Sequence, residues 1–165
     1  MSDGLEIAYL CDHPEYIDPI AEWLFSEWGQ YKPNNTVDLV AARLRRYLNK
    51  NNIPITIVAL QDGMLVGTAT LRESDLRERL ELRPWMASVY VSQDHRNKGV
   101  GSELVSSIER IATSLGYSRI HLYTPDRQNF YARLSWRVLE NVAHGGKQVT
   151  VMYKILLNEG LSAHG

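Results

Sequence analysis

The sequence predicts a mixed α/β fold: a mostly antiparallel, hairpin-rich sheet flanked by helices, with one parallel pair of central strands. Three observations carry that expectation. Apolar residues recur with a helical period before residue 50 and again over 99–115. Apolar and β-branched runs at 55–60, 64–71, 85–91, 119–124, 136–141 and 149–156 are separated by turn signals. Residues 85–124 read strand, helix, strand, an order that implies a parallel pair joined by a crossover.

Taken in order, Leu5–Leu10 reads as a first strand. His13 and Pro14 open a helix whose apolar positions, Ile17, Ile20, Ala21, Leu24 and Trp28, share one face, and Gly29 stops it. Thr36 caps a second helix with Val37, Val40, Ala41, Leu44, Tyr47 and Leu48 on one side. Its charges, Arg43, Arg45, Arg46 and Lys50, form a solvated surface. Asp62-Gly63 turns the hairpin between Ile55–Leu60 and Met64–Leu71. After a charged stretch from Glu73 to Glu81, Trp85–Val91 is a nearly uncharged strand, a pattern expected of burial on both faces. A helix from about Gly99 to Leu115 buries Val100, Leu104, Ile108, Ile111 and Leu115 and stops at Gly116. Arg119–Thr124 is a strand and Asp126–Leu134 a short helix started by Pro125-Asp126. Trp136–Asn141 and Val149–Leu156 close the sheet around Gly145-Gly146. The expected organisation is one domain over 1–157 and a loose tail over 158–165.

The chain has 165 residues, 44% hydrophobic and 22% charged, enough for a core without covalent staples. A net charge of −1 argues against nucleic acid or an anionic membrane as a partner. One cysteine, Cys11, excludes an internal disulfide, and the five histidines show no metal-ligand spacing. No metal is expected. The first residues lack the blocks of a signal peptide, and no apolar run reaches a membrane span, so a cytoplasmic protein is expected.

The most informative segment is Val89-Tyr90-Val91-Ser92-Gln93-Asp94-His95-Arg96-Asn97-Lys98-Gly99-Val100-Gly101-Ser102. A strand ends, a basic loop follows, and a helix starts on glycines. The first amides of a helix have no intrahelical partner, and its dipole is positive there. Gly99 and Gly101 let a ligand approach the backbone, and Arg96 and Lys98 add charge. A phosphate or pyrophosphate is the natural guest. The spacing fits neither a nucleotide-hydrolysing P-loop nor a dinucleotide-binding turn.

Arg96-Asn97-Lys98-Gly99-Val100-Gly101 resembles the pyrophosphate motif of the GNAT superfamily of acetyl-CoA-dependent N-acetyltransferases. Trp85–Val91 is similar to the strand before that motif. Phe130-Tyr131-Ala132-Arg133-Leu134-Ser135-Trp136 is similar to the superfamily's segment near the end of the domain. The resemblance covers about Leu5 to Leu157. It implies a GNAT-like sheet whose parallel central strand pair is splayed, with acetyl-CoA in the gap. It implies that the backbone of Val89, Tyr90 and Val91 bonds the pantetheine arm, and that the amides of Asn97, Lys98, Gly99, Val100, Gly101 and Ser102, with Arg96, hold the pyrophosphate. Tyr131 is implied as the general acid for the leaving thiolate. Two positions depart from the pattern: Thr124 stands where many members carry asparagine, and Ser135 where glycine is usual.

The expected function is acetyl transfer from acetyl-CoA to a primary amine, of a small molecule or a protein N-terminus, by direct attack in a ternary complex. The rival reading is an inactive acetyl-CoA sensor or interaction module of the same fold. A homodimer is compatible with either. No general base stands out: Glu27, Glu73, Asp75, His121 and His144 are candidates. Trp23, Trp28, Tyr31 and Trp85 are candidates for lining the acceptor site.

Overall fold

Helical spacing and turn chemistry decide where this chain changes direction, as a computed structural model describing residues 4–157 makes visible. The tail expected at 158–165 lies outside the described residues. The elements are β1 (Leu5–Tyr9), α1 (Ile17–Glu27), α2 (Val37–Arg45), β2 (Ile55–Gln61), β3 (Met64–Arg72), β4 (Trp85–Val91), α3 (Val100–Ser114), β5 (Arg119–Thr124), α4 (Gln128–Arg133), β6 (Arg137–His144) and β7 (Lys147–Ile155), with short 3-10 turns between them. The strands follow the order β1-β2-β3-β4-β5-β7-β6 in one sheet. Among the described residues, no helix is long and apolar enough to cross a membrane.

The chain forms two compact units, residues 4–71 with 88–108 and residues 72–87 with 109–157. In the first, β1, β2 and β3 are antiparallel, with Leu5 opposite Gln61 and Gln61 opposite Met64. Asp62 and Gly63 turn the hairpin at φ +52° and +82°, the double left-handed turn that matches strand twist. Helices α1 and α2 bury Ile17, Ile20, Ala21, Val40, Ala41 and Leu44 against Val58 and Leu60. Burying one such Leu or Ile fully contributes about 1.5–3 kcal/mol. Thr36 Oγ1 accepts from the Leu39 N–H at 3.1 Å, the expected cap. Both helices are shorter than their apolar patterns. Pro14–Tyr16 forms a 3-10 turn ahead of α1, and α2 ends at Arg45 while Tyr47 and Leu48 continue the packing outside it. Apolar periodicity reports which side chains are buried, not whether the backbone between them is still helical.

In the second unit, β4 starts parallel to β5 with Trp85 opposite His121. Strand β7 pairs antiparallel with β5, Thr124 opposite Thr150, and with β6, Val142 opposite Val149. Strands β6 and β7 extend beyond the predicted limits, to His144 and from Lys147. The backbone ladder continues through exposed polar positions that no apolar run marks. Alternation gives this sheet two faces. On one, Lys154 Nζ donates to Glu109 Oε1 at 2.8 Å and Gln128 Nε2 to Thr150 Oγ1 at 2.8 Å, which ties β7 to the end of α3 and to α4. On the other, Leu76, Trp85, Val142, Val149 and Val151 form an apolar cluster with Leu82 and Tyr123 at its margin.

Trp85 is fully buried in that cluster, and its Nε1 donates to the Leu82 carbonyl at 2.6 Å. It is a core residue and not part of an acceptor site. His121 is also core: it is 2% exposed, and its ring lies tilted against Trp85 at 5.6 Å. Its Nδ1–H donates to the Pro84 carbonyl at 3.1 Å, while Nε2 is buried without a partner among the described residues. Burial holds the imidazole below its usual titration range, with Arg119 acting in the same direction against the Pro84 bond. The folded protein therefore keeps His121 neutral while the unfolded chain takes up a proton near pH 6.5. Stability should be fully present above that pH and decline as pH falls below it. Denaturant midpoints measured from pH 7.5 to 5 should show this decline, and His121→Gln should reduce its slope. An unchanged slope would remove His121 as the cause.

Candidate active site

In the first unit the site starts at a kink. Ser88 sits in mid-strand at φ +57°, the left-handed conformation used by a β-bulge, which re-aims the side chains after it. Trp85–Ala87 is buried, but Ser88–Val91 is only half-buried, so the two-sided burial expected for the whole strand holds for its first half. After Val91 the loop contains Asn97 at φ +62° and Gly99 at φ +86°. Asparagine tolerates this conformation and glycine adopts it without penalty, so the turn is legible in the residue types. The first intrahelical bond of α3 runs from Glu103 N–H to Gly99 O at 3.1 Å. The amides of Val100, Gly101 and Ser102 therefore precede the helix's own ladder. Asn97, Lys98 and Gly99 are exposed, Gly101 and Ser102 half-buried, and Val100 buried as the helix's anchor.

Arg96 does more than add charge. Its Nε donates to the Val91 carbonyl at 2.9 Å, and its guanidinium lies 5.4 Å from the centre of the Tyr90 ring. The loop is thus strapped to the end of β4. Tyr90 in turn meets Trp23 at 5.0 Å and Trp28, edge to face, at 6.4 Å. Two of the four predicted acceptor-site aromatics converge there; Tyr31 is 78% exposed. Gly67 on β3 is a requirement that spacing does not reveal. A Cβ there would stand 2.9 Å from the Tyr90 carbonyl and 3.0 Å from Leu104 Cδ1, so glycine lets β3 pass close to β4 and the start of α3.

In the second unit, Tyr131 is buried in α4, with Phe130 at 5.0 Å and Trp136 at 6.1 Å, both edge to face. Burial pushes its phenol up to about 12, opposed by Arg127. Helix α4 is shorter than predicted, and its turn is held by Thr124 rather than by Pro125-Asp126. Thr124 Oγ1 accepts from the amides of Asp126 and Arg127 at 3.3 and 2.9 Å. The helix ends in a Schellman motif: Trp136 N–H donates to Tyr131 O at 3.1 Å and Ser135 N–H to Ala132 O at 3.0 Å. Ser135 occupies the left-handed position at φ +73°.

The family model for the acetyltransferase (GNAT) family matches residues 17–136. The chain belongs to the GNAT acetyltransferase family. No curated protein sequence matches it. Among solved structures, an aminoglycoside 6'-N-acetyltransferase complexed with coenzyme A is similar over 93% of this chain and 98% of its own, at 16% identity and TM-score 0.75. An N-acetyltransferase from Staphylococcus aureus Mu50 is similar over 93% and 99%, at 16% identity and TM-score 0.73. The structure of yncA from Salmonella typhimurium with its cofactor acetyl-CoA is similar over 94% and 96%, at 17% identity and TM-score 0.70. At these identities the likeness shows the shared fold.

Within the GNAT fold, the two departures noted in the sequence acquire physical meaning. Thr124 uses its hydroxyl to hold the turn into α4, a structural task within its own loop. Ser135 supports the cap at a cost of about 1–2 kcal/mol that glycine would not incur. Among base candidates, His121 is excluded by its burial and its bond to Pro84. His144 Nδ1 lies 2.9 Å from Glu78 Oε1, a partner 66 positions away that local spacing does not reveal. Ser135→Gly should raise stability by about 1 kcal/mol, read as a Tm increase of a few degrees for a domain of this size. A lower Tm would show that the serine hydroxyl contributes more than the backbone loses.

Proposed function

We propose that the protein is an N-acetyltransferase that moves the acetyl group of acetyl-CoA onto a primary amine by direct attack in a ternary complex. The observation that carries this reading is the left-handed turn at Asn97 and Gly99 followed by the first amides of α3, in a chain of the GNAT family. In this reading the amides from Asn97 to Ser102 receive the pyrophosphate, where the helix dipole and Lys98 favour negative charge. Arg96 keeps the loop in place through Val91 and offers its remaining N–H groups to phosphate oxygens. The backbone from Val89 to Val91 lies alongside the pantetheine arm, and an N–H there steadies the oxyanion of the tetrahedral intermediate. The aminoglycoside 6'-N-acetyltransferase of the same fold, solved with coenzyme A, supports the choice of cofactor.

Tyr131 stands as the acid for the departing thiolate. With its phenol near 12 and a thiol near 8.5, complete transfer to sulfur is uphill by several kcal/mol on its own. Its contribution is therefore a hydrogen bond to the sulfur as charge develops. The proton moves fully only as the phenol oxygen is resupplied from the nitrogen side.

Turnover of acetyl-CoA with an aminoglycoside, a polyamine, lysine and peptides with free N-termini tests the function. Binding without turnover across the set favours a sensor instead. Tyr131→Phe should lower kcat by roughly 100- to 1,000-fold and leave acetyl-CoA affinity nearly unchanged, and an unchanged kcat would remove the acid role. Gly99→Glu puts a carboxylate and a Cβ at the left-handed turn, and should weaken acetyl-CoA binding by roughly 100-fold or more in calorimetry. Retained affinity would move the pyrophosphate elsewhere.

A further inference from the structure

We propose that His144, oriented by Glu78, is the general base that takes the proton from the acceptor's ammonium group, an inference that rests on the acetyltransferase reading above. Strand β5 ends at Thr124, which pairs with Thr150, so the start of β7 at Lys147 runs past the carboxyl end of β5. His144 pairs with Lys147 in that extension. Its ring reaches back to Tyr123, edge to face, at 5.4 Å. Helix α4 leaves the same end of β5 within four residues and carries Tyr131. Register sets the contacts of the segments that carry them on opposite faces of the sheet there. Tyr131 belongs to the helix that binds Thr150 through Gln128, and His144 stands beside Tyr123, at the margin of the apolar cluster on the other face. In the tetrahedral intermediate nitrogen and sulfur share one carbon, so a base for the nitrogen and an acid for the sulfur are both needed at one place.

Geometry also fixes which nitrogen is the base. Glu78 Oε1 lies 2.9 Å from His144 Nδ1, and a carboxylate can only accept, so Nδ1 carries the proton and Nε2 keeps its lone pair. The hydrogen bond from His144 holds the Glu78 carboxyl below its ordinary range, which keeps it ionised as the orienting partner. Both side chains are partly exposed, at 31% and 27%, as a base that must meet a substrate requires. The other groups around the pair are accounted for. Tyr123 is pushed up to about 12 by burial and is neutral. Arg77 stands 3.8 Å from Glu78, Arg72 is paired with Asp75 at 3.0 Å, and Arg79 is paired with Glu140. On the hairpin, Lys147 is the cation nearest in register.

His144 Nε2 removes one proton from R–NH3+, and the freed lone pair forms the C–N bond. The C–S bond breaks with its electron pair on sulfur, which receives the Tyr131 proton. The second nitrogen proton restores the phenol, and His144 gives its proton to solvent, so one proton is released per amide formed.

The test uses the most basic amine that the full-length enzyme turns over. His144→Ala should lower kcat/KM by roughly 100-fold near pH 7, where such an amine is almost wholly protonated, and by only a few-fold near pH 9.5, where it ionises unaided. Added imidazole should restore much of the loss near pH 7. Glu78→Gln, a positioning change, should lose less, and acetyl-CoA affinity should hold in both variants. An equal loss at both pH values without imidazole rescue would show that the pair only props the hairpin, and no loss would equally overturn the proposal. If the wild type acetylates no amine, the acetyltransferase reading itself fails. If it does and His144→Ala matches it, only this assignment falls.

Discussion

Pro84 offers one carbonyl oxygen, and His121 uses it twice, through its backbone N–H at 3.0 Å and through Nδ1 at 3.1 Å. That double bond to one acceptor sets Trp85 opposite His121 and so fixes where the parallel pair begins. Parallel ladders are somewhat weaker per residue than antiparallel ones, so a side chain added to the ladder matters at its first rung. Trp85, fully buried and tilted against the same imidazole, seals the junction. The segments that follow the two strands, the turn into α3 and the turn into α4, carry the candidate site residues. The arrangement has a thermodynamic cost in the orphaned Nε2 of His121, which makes the same imidazole both the register pin and an acid-sensitive point.

Backbone strain is distributed along the same line. Asp62 and Asn34 take left-handed conformations in ordinary surface turns. Ser88 and Ser135 do so without the side chain that makes it easy, one at the kink in β4 and the other at the cap of the helix bearing Tyr131. Such residues persist when the surroundings over-determine them. At Ser135 two Schellman bonds and the contact between Trp136 and Tyr131 supply that determination. The cap also aims the catalytic candidate, because the carbonyl of Tyr131 is the acceptor that closes the motif.

The sequence made the scaffold legible because scaffold information is local. Thr36 before an apolar period, Asp62-Gly63 between β-branched runs and Gly116 after a helix each act within a few residues, and each is found where its chemistry placed it. The turn before α3 was legible for the same reason, since Asn97 and Gly99 are types that favour positive φ. What escaped was non-local. Nothing near Gly67 reports that the Tyr90 carbonyl passes 2.9 Å from its missing Cβ. Nothing near His144 points to Glu78, and Trp85 reads as well for a binding wall as for a core until its burial is known. Strand limits at β6 and β7 were also lost, because the backbone of that hairpin pairs near its turn without requiring apolar side chains.

The titration of Tyr131 then decides where the reaction's sensitivity to pH resides. A phenol near 12 stays protonated throughout the physiological range, so the proposed acid keeps its proton at every pH an assay would use. Tyr123, raised to the same level, contributes no charge to its surroundings. Variation of rate with pH near neutrality must therefore come from the nitrogen side, from the acceptor's own ionisation and from whatever group receives its proton. An α-amine near pH 8 supplies a useful neutral fraction by itself, while a lysine-like amine near 10.4 supplies a few molecules in ten thousand at pH 7. A partly exposed imidazole held in one tautomer is wasted on the first and needed by the second. If His144 is the base, the His144–Glu78 pair suits a strongly basic acceptor, and preference among amines would depend on the β6–β7 turn as well as on the cofactor site.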